Sequence, residues 1–219
     1  MHTRRDWLRS SLGIGGLLLA PPNILSAQEK IDFIPRSLDP IIRLSSNENP
    51  YGPSKIVQQR IQNSFVHACR YPYAYSDGLE LILAKKHGVD PESIIITGGS
   101  TEGLKITGLT FASNGGEIIS GQPTFLAMMK FAEQWGASVN WVPVGADKGY
   151  DLDEIEKRIS SKTKLVFLCN PNNPTGTLVP AKKLVDFCNT ASKKTIVFSD
   201  EAYYDFIETQ NYPSMVEAV

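Results

Sequence analysis

The chain has 219 residues, of which 42% are hydrophobic and 21% charged, and its formal net charge is −1. A chain of this size and composition can bury a real core, and one large domain is the default expectation. The nearly balanced charge, without a basic stripe interleaved with aromatic residues, argues against nucleic acid as a partner and against a general attraction to anionic lipid.

The first 27 residues have the pattern of a targeting segment. Arg4 and Arg5 precede an apolar stretch from Leu12 to Ala20, and Ala27 is a small residue at which a signal peptidase can cut. The apolar stretch is too short to form a stable transmembrane helix. The motif "TRRDWLR" resembles the twin-arginine signal, with Trp7 where phenylalanine is usual, and this implies export of a folded protein to the periplasm. The alternative is an uncleaved anchor with a basic N-terminus.

Two regions of different character follow this segment. From residue 28 to 75, prolines interrupt the chain, which predicts an N-terminal arm with one helix at about Ser54 to Ala68. From residue 76 to 219, short β-branched runs alternate with stretches of helical period. The predicted strands are "SIIITGG", "GEIISGQP", "SVNWVPV", "KLVFLCNP" and "TIVFSDEAY". This alternation predicts an α/β fold, a three-layer sandwich in which helices cover a mostly parallel sheet.

The three cysteines, Cys69, Cys169 and Cys188, have no CxxC spacing, and two of them lie in apolar surroundings. Both observations favour buried thiols over a disulfide or a metal site.

Polar residues and glycines gather where the predicted strands end. They are Gly98 to Thr101 after the first strand, Gln122 to Thr124 after the second, Asn170 to Gly176 after the fourth and Asp200 to Tyr203 after the fifth. Because open α/β sheets bind ligands beyond the carboxyl ends of their strands, the sequence predicts a ligand site at this edge.

Each of these groups has a chemical task available and a purely structural alternative. The glycine turn with Ser100 can hold a phosphate at a helix N-terminus, or is simply a tight turn. Asp200 can pair with a protonated ring nitrogen, or caps the following helix. Asn173 and Tyr203 can donate to a phenolate oxygen, or form an Asx turn and a core contact. Phe125 can stack on a flat ring, or belongs to the core.

Taken together, these tasks describe a pocket for pyridoxal 5′-phosphate (PLP). The motifs "NPNNPTG" and "SDEAYYDF" resemble the large domain of the fold-type I, class I/II aminotransferases. The stretches "RLSSNENPYGPS" and "RYPYAYSDGLELILAKKHGV" are similar to the histidinol-phosphate aminotransferase branch. The resemblance extends from about residue 40 to residue 219.

The resemblance implies a role for each candidate residue. Asp200 pairs with the pyridinium nitrogen, and Tyr203 and Asn173 share the ring oxygen O3′. Phe125 stands where many relatives carry a stacking tyrosine, and Tyr71 reaches the phosphate of a neighbouring subunit, which implies a homodimer. The phosphate is held by Gly99, Ser100 and Thr101.

The implied reaction is transfer of an amino group between a small-molecule amino donor and a 2-oxo acid acceptor. A PLP-dependent decarboxylase on the same fold and a remnant without turnover are the alternatives. The resemblance implies that the family's Schiff-base lysine and its small C-terminal domain fall beyond Val219. The sequence therefore predicts an incomplete large domain at residues 76–219 that is inactive alone.

Overall fold

The computed structural model describes residues 44–218. The predicted signal segment, residues 1–27, and the first part of the predicted arm, residues 28–43, lie outside the described residues. The chain divides into two compact units, Met1–His67 and Ala68–Val219, and each is considered by itself. Within residues 44–218, no helix is both long enough and apolar enough to cross a membrane.

In the first unit, the described residues form helix α1 (Lys55–Ser64) and a 3₁₀ turn (Phe65–His67). Ser54 caps α1, because its hydroxyl accepts the Val57 N–H at 3.4 Å. The predicted start at Ser54 is confirmed, whereas the α-helix ends earlier than predicted. No residue of α1 is buried.

The second unit alternates helices with strands along the chain. The helices are α2 (Tyr73–His87), α3 (Ser100–Ala112), α4 (Ala127–Glu133), α5 (Leu152–Arg158) and α6 (Ala181–Ala191). The strands are β1 (Glu117–Gln122), β2 (Ser138–Pro143), β3 (Thr163–Cys169) and β4 (Ile196–Asp200). Short 3₁₀ helices occupy Pro91–Ser93, Tyr204–Phe206 and Met215–Ala218.

The four strands form one parallel sheet in the order β2-β1-β3-β4. Ser120 of β1 lies opposite Phe167 of β3, and Cys169 of β3 lies opposite Asp200 of β4. Because every pairing is parallel, the carboxyl ends of all four strands meet at one edge. The predicted α/β fold is confirmed.

Alternate residues of the strands enter two separate hydrophobic clusters, as the two-residue period of a strand requires. In β3, Phe167 packs with helices α3 and α4, whereas Leu168 packs with α5 and α6. The first cluster includes Leu104, Ile118, Met128, Met129 and Phe167. The second includes Ile119, Ile155, Val166, Leu168 and Leu184. Helices therefore cover both faces of the sheet and hold its carboxyl edge in place.

One predicted strand is wrong. Within "SIIITGG", residues 94–97 form no ladder with any described strand, and the Ile95 side chain is 83% exposed. A strand is defined by its hydrogen-bonded partner, and none of β1 to β4 pairs with this segment. Its β-branched sequence therefore produces only irregular chain leading into α3.

All three cysteines are free thiols, and Cys169 and Cys188 are buried as predicted, whereas Cys69 is exposed. Burial raises the pKa of Cys169 and that of Cys188 to about 11 each.

Candidate cofactor site

The predicted site residues lie at the carboxyl edge of the sheet and at the start of α3. Thr124 and Phe125 follow β1, the turn of residues 170–176 follows β3, and Asp200 ends β4. Parallel pairing of β1 with β3, and of β3 with β4, places these three strand ends at the same edge.

The N-terminus of α3 has the features of an anion site. Gly99 precedes the helix with a φ of +93°, a backbone conformation that L side chains rarely adopt, and no side chain caps the helix. The first amides of a helix have no partner within it and point along the positive end of its dipole. Ser100 and Thr101 are exposed in this first turn. The carboxylate of Glu102, one turn inside, accepts the Gly98 N–H.

Asp200 is a buried carboxylate that accepts one hydrogen bond from the described residues. Its side chain is 8% exposed, and its Oδ1 accepts the Ala202 N–H at 3.2 Å. Burial raises the pKa of Asp200, the N–H of Ala202 opposes that rise, and the neighbouring charge of Glu201 adds to it. A cation close to a carboxyl group in this environment stabilises its anionic form.

Asp200 and Ser100 line the same cavity, which has a volume of about 430 Å³. Most of the other lining residues are apolar or small, among them Leu104 and Phe198. The structure therefore brings together the start of α3 and the strand-end carboxylate, two groups that the sequence places a hundred residues apart.

The three asparagines of the turn after β3 have different environments. Asn170 is buried, its Nδ2 donates to the Tyr212 hydroxyl at 2.7 Å, and its Oδ1 accepts the Val179 N–H at 2.9 Å. Asn172 is also buried, whereas Asn173 is half-buried. The side chains of Asn170 and Asn172 thus form hydrogen bonds within the protein, whereas the Asn173 carboxamide is more accessible.

Asn172 is the centre of a buried hydrogen-bond network. Its Oδ1 accepts from the Thr124 hydroxyl at 2.8 Å and from the Tyr150 hydroxyl at 2.7 Å. Its Nδ2 donates to the Pro123 carbonyl at 3.0 Å and to the Thr175 hydroxyl at 2.8 Å. This network is not predictable from the sequence, because nothing local to Tyr150 or Asn172 indicates that the two side chains meet.

The aromatic candidates occupy three different surroundings. Phe125 is half-buried and packs beside the cluster beneath α3 and α4. Tyr203 is half-buried, with its ring centroid 6.3 Å from that of Phe206. Tyr71 is 82% exposed and stacks on Tyr73 at 5.6 Å. The structure therefore places Tyr71 at the surface of its unit, and Phe125 and Tyr203 close to the ends of β1 and β4.

Every lysine among residues 44–218 is exposed. A lysine that acts as a nucleophile at neutral pH needs a desolvated pocket or a neighbouring cation to lower its pKa. None of the described lysines has the desolvated surroundings that this chemistry requires.

Comparison with solved structures identifies proteins of the same fold. The histidinol-phosphate aminotransferase of Sinorhizobium meliloti, in complex with PLP, matches with a TM-score of 0.72 and 24% identity over 78% of this chain and 47% of that chain. The histidinol-phosphate aminotransferase of Clostridium acetobutylicum matches with a TM-score of 0.67 and 22% identity over 80% and 51%. At these identities the comparison shows that this chain shares the α/β fold of both enzymes.

The sequence comparisons are more specific. The chain belongs to the family of aminotransferases of class I and II, whose sequence model matches residues 39–218. It is 34% identical to the histidinol-phosphate aminotransferase of Bacillus velezensis over 179 residues, which is 82% of this chain and 50% of that protein. With the enzyme of Anoxybacillus flavithermus the identity is 35%, over 82% and 48%. The chain thus spans about half the length of the curated relatives that it matches.

The described residues fit PLP, the ligand that is present in the S. meliloti enzyme. The uncapped start of α3 suits a phosphate, and the buried carboxylate of Asp200 suits a protonated ring nitrogen. The two groups border one cavity, as two ends of a single ligand require.

Proposed function

We propose that the whole protein is a PLP-dependent aminotransferase of the histidinol-phosphate aminotransferase type. It transfers an amino group between an amino acid or amino phosphate and a 2-oxo acid. The observation that carries this proposal is the shared cavity of Ser100 and Asp200 in a chain of the aminotransferase family.

In this proposal the candidate residues have four tasks. The amides and hydroxyls of Gly99, Ser100 and Thr101 bind the phosphate, while Asp200 holds a proton on the ring nitrogen. Asn173 and Tyr203 donate to the ring oxygen O3′, and Phe125 packs against the ring face. When bound, PLP supplies a protonated aromatic ring that withdraws electrons from the reacting carbon.

The catalytic lysine comes from outside the described residues in this proposal, because every lysine among residues 44–218 is exposed. Residues 44–218 alone then provide noncovalent contacts to PLP and no turnover. Borohydride reduction followed by mass spectrometry tests this division. A single stoichiometric PLP adduct on one lysine of residues 44–218 would contradict it.

We also propose a homodimer, in which the exposed Tyr71 reaches the phosphate bound by the partner subunit. Export by the twin-arginine route completes the proposal. Replacing Arg4 and Arg5 by lysine keeps both charges and is expected to retain the protein in the cytoplasm with residues 1–27 attached. Unchanged export of that double variant would exclude this route.

The activity is tested by comparing Asp200→Asn with Asp205→Asn in the full-length protein. Both changes remove one carboxylate, but Asp205 is exposed on the 3₁₀ helix that follows β4. We expect Asp200→Asn to lower kcat for transamination by at least about a hundredfold, because a charge that stabilises the transition state is lost. Asp205→Asn should keep kcat near that of the unmodified protein. Equal activity in the two variants would exclude the assignment of Asp200.

A further inference from the structure

The hydroxyl of Tyr150 lies where three segments of the carboxyl edge meet. It donates to Asn172 Oδ1 at 2.7 Å, lies 2.7 Å from Thr124 Oγ1, and accepts the Cys169 N–H at 3.3 Å. Thr124 follows β1, Tyr150 belongs to the loop between β2 and α5, and Cys169 ends β3. One hydroxyl group therefore connects the loop that carries Phe125 with the turn that carries Asn173.

The orientation of the Asn172 carboxamide is determined by its partners. Its Nδ2 faces the Pro123 carbonyl at 3.0 Å, and a carbonyl can only accept. Its Oδ1 must therefore face the hydroxyls of Tyr150 and Thr124. Asn172 is 3% exposed and Thr124 5% exposed, so water cannot readily replace either hydroxyl.

The Tyr150 ring packs against the sheet at Gly121, where the lack of a side chain leaves room for it. A Cβ at Gly121 would lie 2.2 Å from Cδ1 and 2.3 Å from Cε1 of the ring, distances that no packed structure tolerates. Burial raises the pKa of the Tyr150 hydroxyl, so this group remains a neutral donor. The ladder between β1 and β3 has its last pair at Ser120 and Phe167, and beyond it Tyr150 accepts the Cys169 N–H.

We propose that Tyr150 is a positioning residue of the cofactor site, which acts through Asn172 and Thr124 on the loops that carry Asn173 and Phe125. This inference rests on the proposed function. Losing the Tyr150 hydroxyl leaves the ring in place and removes one of two donors to Asn172 Oδ1. The turn then populates additional arrangements, and the fraction of protein that is ready to bind PLP falls.

The test uses Tyr150→Phe in the full-length protein, with Tyr204→Phe as its matched control. The Tyr204 hydroxyl is also part-buried and hydrogen-bonded, to the Tyr212 carbonyl at 2.6 Å, but it lies outside the network of Asn172. We expect Tyr150→Phe to raise the dissociation constant of PLP, measured by equilibrium dialysis, about three- to tenfold, which corresponds to one net hydrogen bond. Tyr204→Phe should leave that constant unchanged.

A second pair of variants keeps the test decisive if Tyr150→Phe folds poorly. Thr124→Val removes the other hydroxyl at nearly constant shape, whereas Thr124→Ser retains it. Thr124→Val should weaken PLP binding to a similar extent, Thr124→Ser should restore it, and the effects of Tyr150→Phe and Thr124→Val should be non-additive because they act on one acceptor.

The outcomes separate this inference from the proposed function. If the unmodified protein shows no saturable binding of PLP, the proposed function fails and this inference fails with it. If the unmodified protein binds PLP but Tyr150→Phe and Thr124→Val bind it equally well, only the positioning role is overturned. A purely structural role would lower the unfolding temperature of the cofactor-free variants without changing the dissociation constant of the folded protein, and that result also overturns the proposal.

Discussion

At the scale of single residues, Asp200 shows how a cofactor site can oppose stability. Its carboxyl group is buried at the end of β4, and that burial raises its pKa above the ordinary value. The folded state therefore holds the proton more tightly than the unfolded state does. At a pH above the ordinary pKa of a carboxyl group, Asp200 therefore lowers the free energy of unfolding of the cofactor-free protein.

Replacing Asp200 by asparagine is therefore expected to raise the unfolding temperature of the cofactor-free protein at pH 7, although the same change removes activity. The sign follows from the raised pKa. Below about pH 4, the ordinary range of a carboxyl group, both states are protonated and the difference from the unmodified protein should vanish. It should grow as the pH rises towards the pKa of the folded state and remain constant above it.

Thermal unfolding followed by circular dichroism from pH 3 to pH 8 measures this difference. Asp205→Asn serves again as the control, because the Asp205 carboxylate is exposed and folding does not remove it from water. A variant at position 200 that is less stable than the unmodified protein at pH 7 would contradict the prediction. So would a difference that does not depend on pH.

The sequence indicates a site residue well when the residue stands at the end of a recognisable strand. Asp200 is such a case, because a carboxylate after "TIVFS" needs a partner wherever the strand is placed. The turn after β3 is different. Its three asparagines look alike in sequence. Asn172 differs from Asn173 in that its side chain is hydrogen-bonded to Thr124 and Tyr150, which lie 48 and 22 positions from it. Long-range contacts of this kind leave no local pattern.

At the scale of secondary structure, the close approach of α3 and α4 depends on Gly108. Glycine in a helix interior is unfavourable by about 1 kcal/mol relative to alanine, so its presence in α3 needs a reason. A Cβ at Gly108 would lie 3.0 Å from Met128 Cγ and 3.2 Å from Ala132 Cβ, both on α4. The missing side chain therefore makes room for α4 beside the helix whose N-terminus faces the cofactor cavity.

Gly108→Leu is expected to lower the free energy of unfolding by about 1 to 3 kcal/mol, because it overpacks this contact. Thr110→Leu provides the matched control, since Thr110 is exposed on the same helix. Urea unfolding midpoints, compared at equal m-values, measure the effect. If both leucine variants unfold at the same urea concentration, the contact between α3 and α4 is not limited by Gly108.

The elements themselves were predicted unevenly, and the reason is physical. Strands β1 to β4 are predictable because each is a short run with β-branched residues that pairs with a neighbouring strand, although only β1 and β3 are mostly buried. The segment "SIIITGG" has the same β-branched composition, yet Ile95 is exposed and residues 94–97 have no ladder partner among the described strands. Composition reports the preference of a segment, whereas a strand also requires a neighbour that the segment cannot supply.

At the scale of the whole molecule, burial is distributed unequally along the chain. All but one of the residues of β3 are buried, whereas α1 has no buried residue and Ala84 is the buried residue of α2. Leu79, Leu81 and Ile82 of α2 are among the exposed large hydrophobic residues. Because helical stability in proteins comes mainly from packing, α1 and α2 are expected to open more readily than the sheet.

Hydrogen exchange measured by mass spectrometry tests this distribution in the full-length protein. In dilute solution, the amides of α1 and α2 are expected to exchange orders of magnitude faster than those of β3, because their opening exposes little additional apolar surface. If the proposed homodimer covers these helices, the protection of their amides from exchange should rise with protein concentration, because association stabilises only the associated form. The exchange of the β3 amides should change little. Amides of α1 and α2 that are protected as strongly as those of β3 at the lowest concentration would contradict the prediction, because packing within one chain would then stabilise both helices.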